Sequence, residues 1–240
     1  MSDTFTFDGI VSSTYGVYVF PTDSMKSAPA RQYTEYNIPG RSGALLVDEA
    51  RFPNTKRDYG VIIAESGTSS VNLDGLRNAL ASRVGYFRLT DTFDTTHYFM
   101  AAYREDFLPS YDWQGKKLSK AQISFNRKPQ RYLISGGTAV PFTSSGTITN
   151  PTRFDSMPYL RVYGTGVLGI GSTNITIAAH GYSYIDIDCE TCRAFYGATA
   201  LDNKVTLSTR DYPKLAPGSN GISVGTGITS VSVTPRWWEL

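Results

Sequence analysis

Cys189 and Cys192 form the motif CETC, whose spacing is typical of thiol redox centres and of half a zinc site. A redox pair needs a helix N-terminus to stabilise the thiolate, whereas this motif ends a predicted strand. The chain has only these two cysteines, so it lacks the second pair that a zinc site of this type requires. We therefore favour small buried hydrophobic side chains over a metal or redox centre, and we predict no cofactor.

Asp186 and Asp188 are a second candidate pair, in the segment YIDIDCE. Alternation along a strand places both carboxylates on one face and Ile185 and Ile187 on the other. Glycoside hydrolysis requires carboxyl groups that flank a cleft at about 5 to 9 Å from each other. Charged residues on the solvated outer face of a sandwich strand are a commoner arrangement, which we favour here.

The sequence contains no nucleophile elbow, phosphate-binding loop or H-E-x-x-H motif. A wall-degrading hydrolase built on Asp186 and Asp188 is therefore a hypothesis that we rank below the two others given below, a structural subunit and a carbohydrate-binding module. We predict that the protein is not an enzyme.

Aromatic side chains suggest a different function. Trp237 and Trp238, next to Arg236, either stack on a sugar or base or dock into a groove of the core, and we favour docking. A carbohydrate-binding module is the second hypothesis, and it requires an exposed aromatic platform. The residues that could form one are Tyr163, Tyr182, Tyr184 and Trp237.

Charge and hydropathy narrow the possible partners. Lysine and arginine number 23 against 21 aspartates and glutamates, so the chain lacks the basic excess that drives non-specific binding to phosphate backbones. No apolar run approaches the roughly 20 residues that span a bilayer. The start MSDTFTFDGI has no signal-peptide pattern. We expect a soluble protein, made in the cytoplasm and not inserted into a membrane.

The elements that position these residues are mainly strands. The 22 glycines, 16 tyrosines and 12 phenylalanines favour short strands joined by many turns. One amphipathic helix is predicted in SSVNLDGLRNALASRVGYF, where Leu73, Leu76 and Leu80 recur on one face. The predicted fold class is mainly β, with an N-terminal β-rich domain that carries one helix and an extended hairpin, followed by a β-sandwich.

The extended hairpin is predicted from the segment IPGRSGALLVDEARF and its surroundings. RQYTEYN forms a short strand, and Ile38-Pro39-Gly40 forces a turn after it. We expect 45–47 and 59–64 to be the two arms of the hairpin, with the charged segment DEARFPNTKRD at its tip.

A domain boundary is predicted near SGGTAVPFTSSG, which has the composition of a linker. We expect an N-terminal domain over 1–135 and a second domain over 136–240, whose last residues could pack back on the first. Short alternating runs separated by Gly, Asn and Pro turns make the second domain a predicted β-sandwich.

An ordered set of segments resembles the distal tail protein family, Dit, of long-tailed bacteriophages. In the first half the segments are FTFDGIVSSTYGVYV, YNIPGRSGALLVDEARF, LRNALASRVGYFRLTDTFD and ISFNRKPQRYL. In the second half they are ITNPTRFDSMPYLRVYGTG, YIDIDCE, YPKLAPGSNGI and TPRWW. The resemblance covers nearly the whole chain.

The resemblance implies a structural hub of the phage tail tip or baseplate. The N-terminal domain would form a homo-hexameric ring, with a galectin-like β-sandwich on the outside. The ring would join the tail tube protein to the tail-associated central fibre or lysin protein, with receptor-binding proteins at its periphery. DNA would pass through its channel without specific binding, which a near-neutral net charge fits. The implied location is the virion, assembled in the host cytoplasm.

A projecting hairpin could pair with or pack against a neighbouring subunit of such a ring. Ile38, Leu45 and Leu46 would supply apolar area, Gly40 and Gly43 the turn geometry, and Arg41 an anchor. The predicted interface residues are Ile38, Pro39, Gly40, Arg41, Gly43, Leu45 and Leu46. The alternative is an ordinary hairpin packed on its own domain.

Overall fold

The computed structural model describes residues 3–64, 69–104 and 118–240. The chain divides into two compact units, one of residues 1–131 with Leu240 and the other of residues 132–239. Each unit has its own hydrophobic core. The assignment of ring-forming and galectin-like roles to two domains stays a prediction.

The N-terminal unit is built on a curled antiparallel sheet. Its strand order is β2-β1-β7-β8-β9-β6-β3, and a separate two-stranded sheet pairs β4 with β5. The strands are β1 Phe5–Phe7, β2 Ile10–Val11, β3 Val17–Pro21, β4 Tyr33–Asn37, β5 Ala44–Asp48, β6 Thr55–Ala64, β7 Phe87–Asp91, β8 Asp94–Tyr103 and β9 Leu118–Leu133. Short 3-10 turns occupy Ser12–Tyr15 and Asp23–Lys26.

Helix α1, Ser69–Ala81, covers the core of this unit. Leu73, Leu76 and Leu80 are all buried, as their spacing along one helix face predicts. Burial of three leucines contributes about 1.5 to 3 kcal/mol each, which explains how a helix of modest intrinsic propensity is held in place. The same hydrophobic core contains aromatic side chains of the sheet, among them Phe5, Phe7, Tyr59 and Phe125.

The predicted arms of the hairpin are wrong in one respect. Strand β5 pairs with β4, not with β6, and the turn is the IPGRSG segment. Strand β6 instead lies between β3 and β9, where Tyr59 and Val61 reach the core. Burial of those side chains fixes the register of β6, whereas the short glycine-containing loop brings β5 back onto its immediate predecessor.

The C-terminal unit is a β-sandwich of a six-stranded sheet, β10-β20-β12-β15-β16-β17, and a five-stranded sheet, β11-β19-β13-β14-β18. Its strands are β10 Val140–Phe142, β11 Gly146–Asn150, β12 Tyr159–Gly164, β13 Gly166–Ile170, β14 Thr173–Ile177, β15 Ile185–Asp188, β16 Arg193–Tyr196, β17 Thr199–Ala200, β18 Val205–Leu207, β19 Gly218–Val224 and β20 Ile228–Thr234. Strand β21, Trp238–Glu239, lies outside both sheets of the sandwich. Two 3-10 turns span Ile134–Gly137 and Asp202–Lys204.

Alternation along the strands builds the sandwich core. In β14 the side chains of Thr173, Ile175 and Ile177 point inward, and the residues between them are exposed. Valines and isoleucines from both sheets fill the space between the two layers. The predicted fold class, mainly β with one helix and a second β-sandwich unit, is confirmed over the described residues. Among those residues, no helix has the length and apolar character to span a bilayer.

Candidate interaction surface

Strands β4 and β5 form a hairpin with regular antiparallel pairing from Tyr33↔Asp48 to Asn37↔Ala44. Below the strands the ladder continues, because Gln32 N–H donates to the Arg51 carbonyl and Glu49 N–H donates to the Gln32 carbonyl. The connecting loop contains Gly40 and Gly43 with φ of 81° and 86°. These positive values explain why glycine stands at both positions.

The hairpin is exposed along nearly its whole length. Every residue from 35 to 48 is exposed to solvent. The large apolar side chains on it are Tyr33, Tyr36, Ile38, Leu45, Leu46 and Val47. A two-stranded hairpin with both faces in water is marginally stable at best. Exposed apolar patches of this kind are typical of surfaces that bind another molecule, which is consistent with the predicted interface.

The two faces of the hairpin differ in composition. One face carries the cross-strand pairs Thr34↔Val47 and Tyr36↔Leu45. On the other face, Leu46 is the partner of Glu35. Leu45 and Leu46 therefore point in opposite directions, as adjacent residues of a strand must. The Leu45 face is the more apolar of the two.

Charged side chains stabilise the base of the hairpin. Arg31 Nε donates to Asp48 Oδ1 at 2.9 Å, and Arg51 Nε donates to Glu49 Oε2 at 3.0 Å. The hydrogen bond from Arg31 holds the pKa of Asp48 below its usual value. The hydroxyl of Thr34 donates to Glu49 Oε1 at 2.7 Å and, together with Arg51, lowers the pKa of Glu49. These hydrogen-bonded pairs stabilise the base of the hairpin, whereas its large apolar side chains stay exposed.

The predicted interface residues all lie on this hairpin. Ile38, Pro39, Gly40, Arg41 and Gly43 belong to the loop, while Leu45 and Leu46 belong to β5. The alternative of a hairpin packed on its own domain does not fit the exposure of residues 35–48. Participation of these residues in an interface stays a prediction.

The candidate carboxylates Asp186 and Asp188 are engaged by separate arginines. Arg161 Nε and Nη2 donate to Asp186 at 2.8 and 3.0 Å, and Arg236 Nη1 donates to Asp188 at 2.6 Å. Asp186 is buried, so the predicted solvated face is wrong at this position. The reason is cross-strand pairing of β12 with β15, which places Arg161 over its partner Asp186.

The same arginines decide what these carboxylates can do. Burial acts to raise the pKa of Asp188, but hydrogen bonds from Arg236 keep it below its usual value. A carboxylate held in its ionised form is a poor general acid. The geometry therefore offers no support for the hydrolase hypothesis at this pair.

The two cysteines have different environments. Cys189 is buried in the sandwich core, where burial raises the pKa of its thiol to about 12. Cys192 is exposed, and both thiols are free. Only Cys189 behaves as the predicted buried hydrophobic side chain. In the part of the chain that the structure describes, no three His, Cys, Asp or Glu residues are grouped to hold a metal ion.

The candidate aromatic residues fall into two groups. Trp237 is buried in the sandwich core, whereas Trp238 stacks on Phe154 at 4.4 Å and its Nε1 donates to the Asp155 carbonyl at 2.9 Å. The other group is a tyrosine cluster on the surface, defined by Tyr163, Tyr182, Tyr184 and Tyr196. Docking of Trp237 removes it from any sugar platform, while three of the four predicted aromatic residues come together.

Sequence reasoning missed a buried polar cluster in the N-terminal unit. Arg57 donates to Asp91 through Nε at 2.8 Å, and the hydroxyl of Tyr59 donates to the same carboxylate at 2.6 Å. Arg127 is also buried, on the neighbouring strand β9. The alternation that predicts Tyr59 and Phe125 on the core face also places Arg57 and Arg127 there, and this signal was available in the sequence.

Comparisons with known proteins support the fold. No family model matches the chain, and no curated protein matches it. Among solved structures, the crystal structure of the Dit protein of phage SPP1 matches with a TM-score of 0.70 over 100% of both chains and 14% sequence identity. That protein is described as a paradigm of the hub of the adsorption apparatus in phages that infect Gram-positive bacteria. The chain therefore has the fold of a phage Dit protein, as its sequence resemblance predicts.

Proposed function

We propose that this chain is a structural hub subunit of a phage tail tip. In the assembled virion, copies of it form a hexameric ring that joins the tail tube protein to the central fibre or lysin protein. DNA passes through the ring without specific binding, and receptor-binding proteins attach at the periphery. The C-terminal sandwich takes the galectin-like role implied by the sequence resemblance.

The observation that carries this proposal is the match to the SPP1 Dit structure over the whole of both chains. A match that extends over both compact units, rather than over a single sandwich, is the kind expected for a shared architecture. The exposed hairpin is a second, independent observation that supports the proposal. Its large apolar side chains are not covered by any other part of the described chain.

The hairpin supplies a physical reason for assembly. Its apolar side chains gain free energy when they leave water, at about 25 cal/mol for each Å² of apolar surface buried. Its outer strand edges also present unpaired backbone groups that a second polypeptide can satisfy. We assign a second copy of this chain as the occupant, because closed rings are built from one repeated contact between identical subunits. The Leu45 face is the better candidate for burial, since it carries Tyr36 and Val47 as well.

Oligomeric state in solution tests the proposal. Light scattering on the full chain, alone and then mixed with its tail-tube and central-fibre partners, is expected to give the mass of a hexamer. Negative-stain electron microscopy of the same sample is expected to show a hollow six-lobed particle. A chain that stays monomeric at all concentrations and also in the presence of both partners would contradict the proposal.

A second candidate function is carbohydrate binding by the C-terminal sandwich. The observation that favours it is the tyrosine cluster. Within it Tyr182 is exposed and stacks on Tyr196 with 4.7 Å between ring centres, and the His180 ring lies nearly parallel to Tyr182. Arg161 stacks on Tyr184 at 4.2 Å and so holds the other end of the cluster. Exposed aromatic faces next to charged groups suit the apolar face and hydroxyls of a sugar.

Calorimetry of the full chain with purified host wall polysaccharide tests this second candidate. Binding that falls at least tenfold in Tyr182→Ala, but not in Tyr33→Ala on the hairpin, would support it. Absence of binding, or equal binding by both variants, would reject the tyrosine cluster as a sugar site. Neither result bears on ring formation, so the two candidates are tested separately.

A further inference from the structure

The N-terminal unit contains a cavity of about 710 Å³. Apolar residues form part of its wall, including Met25, Phe93 and Phe99, and the residues Arg57, Arg127 and Arg131 line another part. Its volume lies within the range of small-molecule sites, and such sites combine mainly apolar walls with a few placed polar groups. The cavity therefore has the size and lining of a binding site.

Arg127 is the unusual residue in this wall. It is 2% exposed, and its Nη2 donates to the Ser27 carbonyl at 2.7 Å. Its Nε and Nη1 are buried without a hydrogen-bond partner among the described residues. The guanidinium lies 5.0 Å from the centre of the Phe99 ring. A buried guanidinium with unsatisfied donors is costly unless an anion compensates it.

The neighbouring arginines Arg57 and Arg131 differ from Arg127 because each lies next to a carboxylate. Arg57 is paired with Asp91, whose other carboxylate oxygen accepts from the N–H groups of Phe93 and Asp94. Arg131 donates to the Leu240 carbonyl at 3.1 Å and lies 3.9 Å from the Asp94 carboxylate.

Two further groups bear on the charge of the cavity. Asp94 Oδ1 is also hydrogen-bonded to His97 Nδ1 at 2.9 Å. Asp23 lines the cavity but is exposed to solvent. No described carboxylate lies within ion-pair distance of Arg127. Arg127 is thus the arginine of the lining that has no carboxylate partner among the described residues.

We propose that this cavity binds a carboxylate attached to an apolar body, with Arg127 as the group that holds the carboxylate. The guanidinium of Arg127, which has no carboxylate partner, matches a single carboxylate, and the Met25, Phe93 and Phe99 side chains suit the carbon atoms next to it. The pKa of Arg127 supports the need for an anion: burial, and then the charges of Arg57 and Arg131, lower it to about 10. The carboxylate belongs either to a free small organic acid or to an acidic side chain in a bound peptide.

Calorimetry of the full chain tests the site with defined probes. The probes are 3-phenylpropionate, its uncharged amide, the blocked dipeptide N-acetyl-Phe-Glu-amide, and inorganic phosphate. We expect saturable binding of a carboxylate probe and at least tenfold weaker binding of the amide. Arg127→Gln, which removes the charge, and Ala28→Phe, which adds bulk at an exposed position of the lining, are each expected to weaken binding at least tenfold. Arg193→Gln, at an exposed arginine of the other unit, is the control and leaves affinity unchanged.

The outcomes separate the sources of the carboxylate. Binding of 3-phenylpropionate alone assigns a free organic acid, and binding of the dipeptide alone assigns an acidic side chain. Four results would overturn the proposal: no saturable binding of either carboxylate, equal binding of the amide, binding of phosphate alone, or unchanged affinity in a folded Arg127→Gln or Ala28→Phe variant. Circular dichroism of each variant establishes whether it is folded.

Discussion

Tyr36 and Leu45 face each other across the β4-β5 hairpin, and both remain about half exposed, at 55% and 47%. Cross-strand apolar pairs of this kind stabilise a sheet when a third layer covers them. In the single chain that layer is missing, so this pair is where we expect a neighbouring subunit to pack in the proposed ring.

Introducing a carboxylate on one face of the hairpin at a time tests which face is buried in the proposed ring. We expect Leu45→Glu to abolish ring formation, because a carboxylate would be buried against the neighbouring subunit. Leu46→Glu lies on the opposite face and is expected to weaken assembly less. Light scattering measures the mass of each variant, and urea unfolding of the monomer is expected to change by no more than about 0.5 kcal/mol.

Val84→Glu is the matched control for both hairpin variants, because Val84 is a 91% exposed apolar residue outside the hairpin. Assembly of Val84→Glu is expected to equal that of the unmodified chain. Equal loss in Leu46→Glu and Leu45→Glu would show that both faces are covered. Unchanged assembly in both would remove the hairpin from the interface.

The loop glycines should control the order of the hairpin. Gly40→Ala and Gly43→Ala force a side chain into positive φ, which costs about 1 to 2 kcal/mol at each position. We expect faster hydrogen exchange of the β4 and β5 amides in both variants, with the core amides of the same unit unaffected. Gly221→Ala is the control, because a Cβ there has open space and no positive φ. Similar exchange in all three variants would argue against a role for the turn geometry.

The two buried arginines should respond in opposite ways to the same substitution. Arg57→Met leaves Asp91 without its cation in the core, and we expect a loss of about 3 to 5 kcal/mol in the free energy of unfolding. Arg127→Met removes an uncompensated charge, so its free energy of unfolding is expected to stay the same or rise. Urea unfolding at pH 7 measures both. Equal losses would mean that Arg127 is compensated within the chain, and the case for a bound carboxylate would fail.

The Asp188–Arg236 pair should make the sandwich sensitive to acid. The pKa of Asp188 in the folded chain lies below its ordinary value of 3.8. Its stabilising contribution is therefore fully present above about pH 5 and is lost as the pH falls through the lowered pKa. We expect Asp188→Asn to reduce the free energy of unfolding by about 1 to 3 kcal/mol at pH 7, since a charge-assisted hydrogen bond is lost.

Urea unfolding of Asp188→Asn from pH 7 down to pH 2 is the measurement, and the difference from the unmodified chain is expected to shrink at the acid end. Glu190→Gln is the control, because its carboxylate lies 3.5 Å from Arg236 and is partly exposed. That variant should change stability by well under 1 kcal/mol. A constant difference between Asp188→Asn and the unmodified chain at all pH values would refute the ionic account.

Alternation along strands predicts much of this fold from sequence. The face of α1 marked by Leu73, Leu76 and Leu80 and the inward residues of the sandwich strands follow directly from periodicity. The partner of β5 does not, because ALLVD carries apolar side chains on both faces and no buried face fixes its register. Sequence alone therefore locates the exposed segment correctly but pairs it with the wrong strand.

Contacts between residues far apart in sequence are the second thing that periodicity leaves open. Arg161 and Asp186 meet because β12 pairs with β15, and nothing local to YIDIDCE shows that an arginine will cover the carboxylate. The lack of a carboxylate partner at Arg127 is a second example. The fold brings Asp91 to Arg57 and not to Arg127, although both arginines are buried. Which carboxylate pairs with which arginine can therefore be read only from the folded structure.

The bare hairpin also has a consequence for the newly made polypeptide. In the proposed assembly, each chain exposes an apolar hairpin before a neighbouring copy binds, and the strand edges of that hairpin can pair with strands of the wrong chain. Glu35 on β4 and the Arg31–Asp48 pair at its foot place charges where an intruding strand would lie, which disfavours mismatched stacking. Prompt capture by the correct neighbour would then protect the chain from aggregation as well as complete the particle.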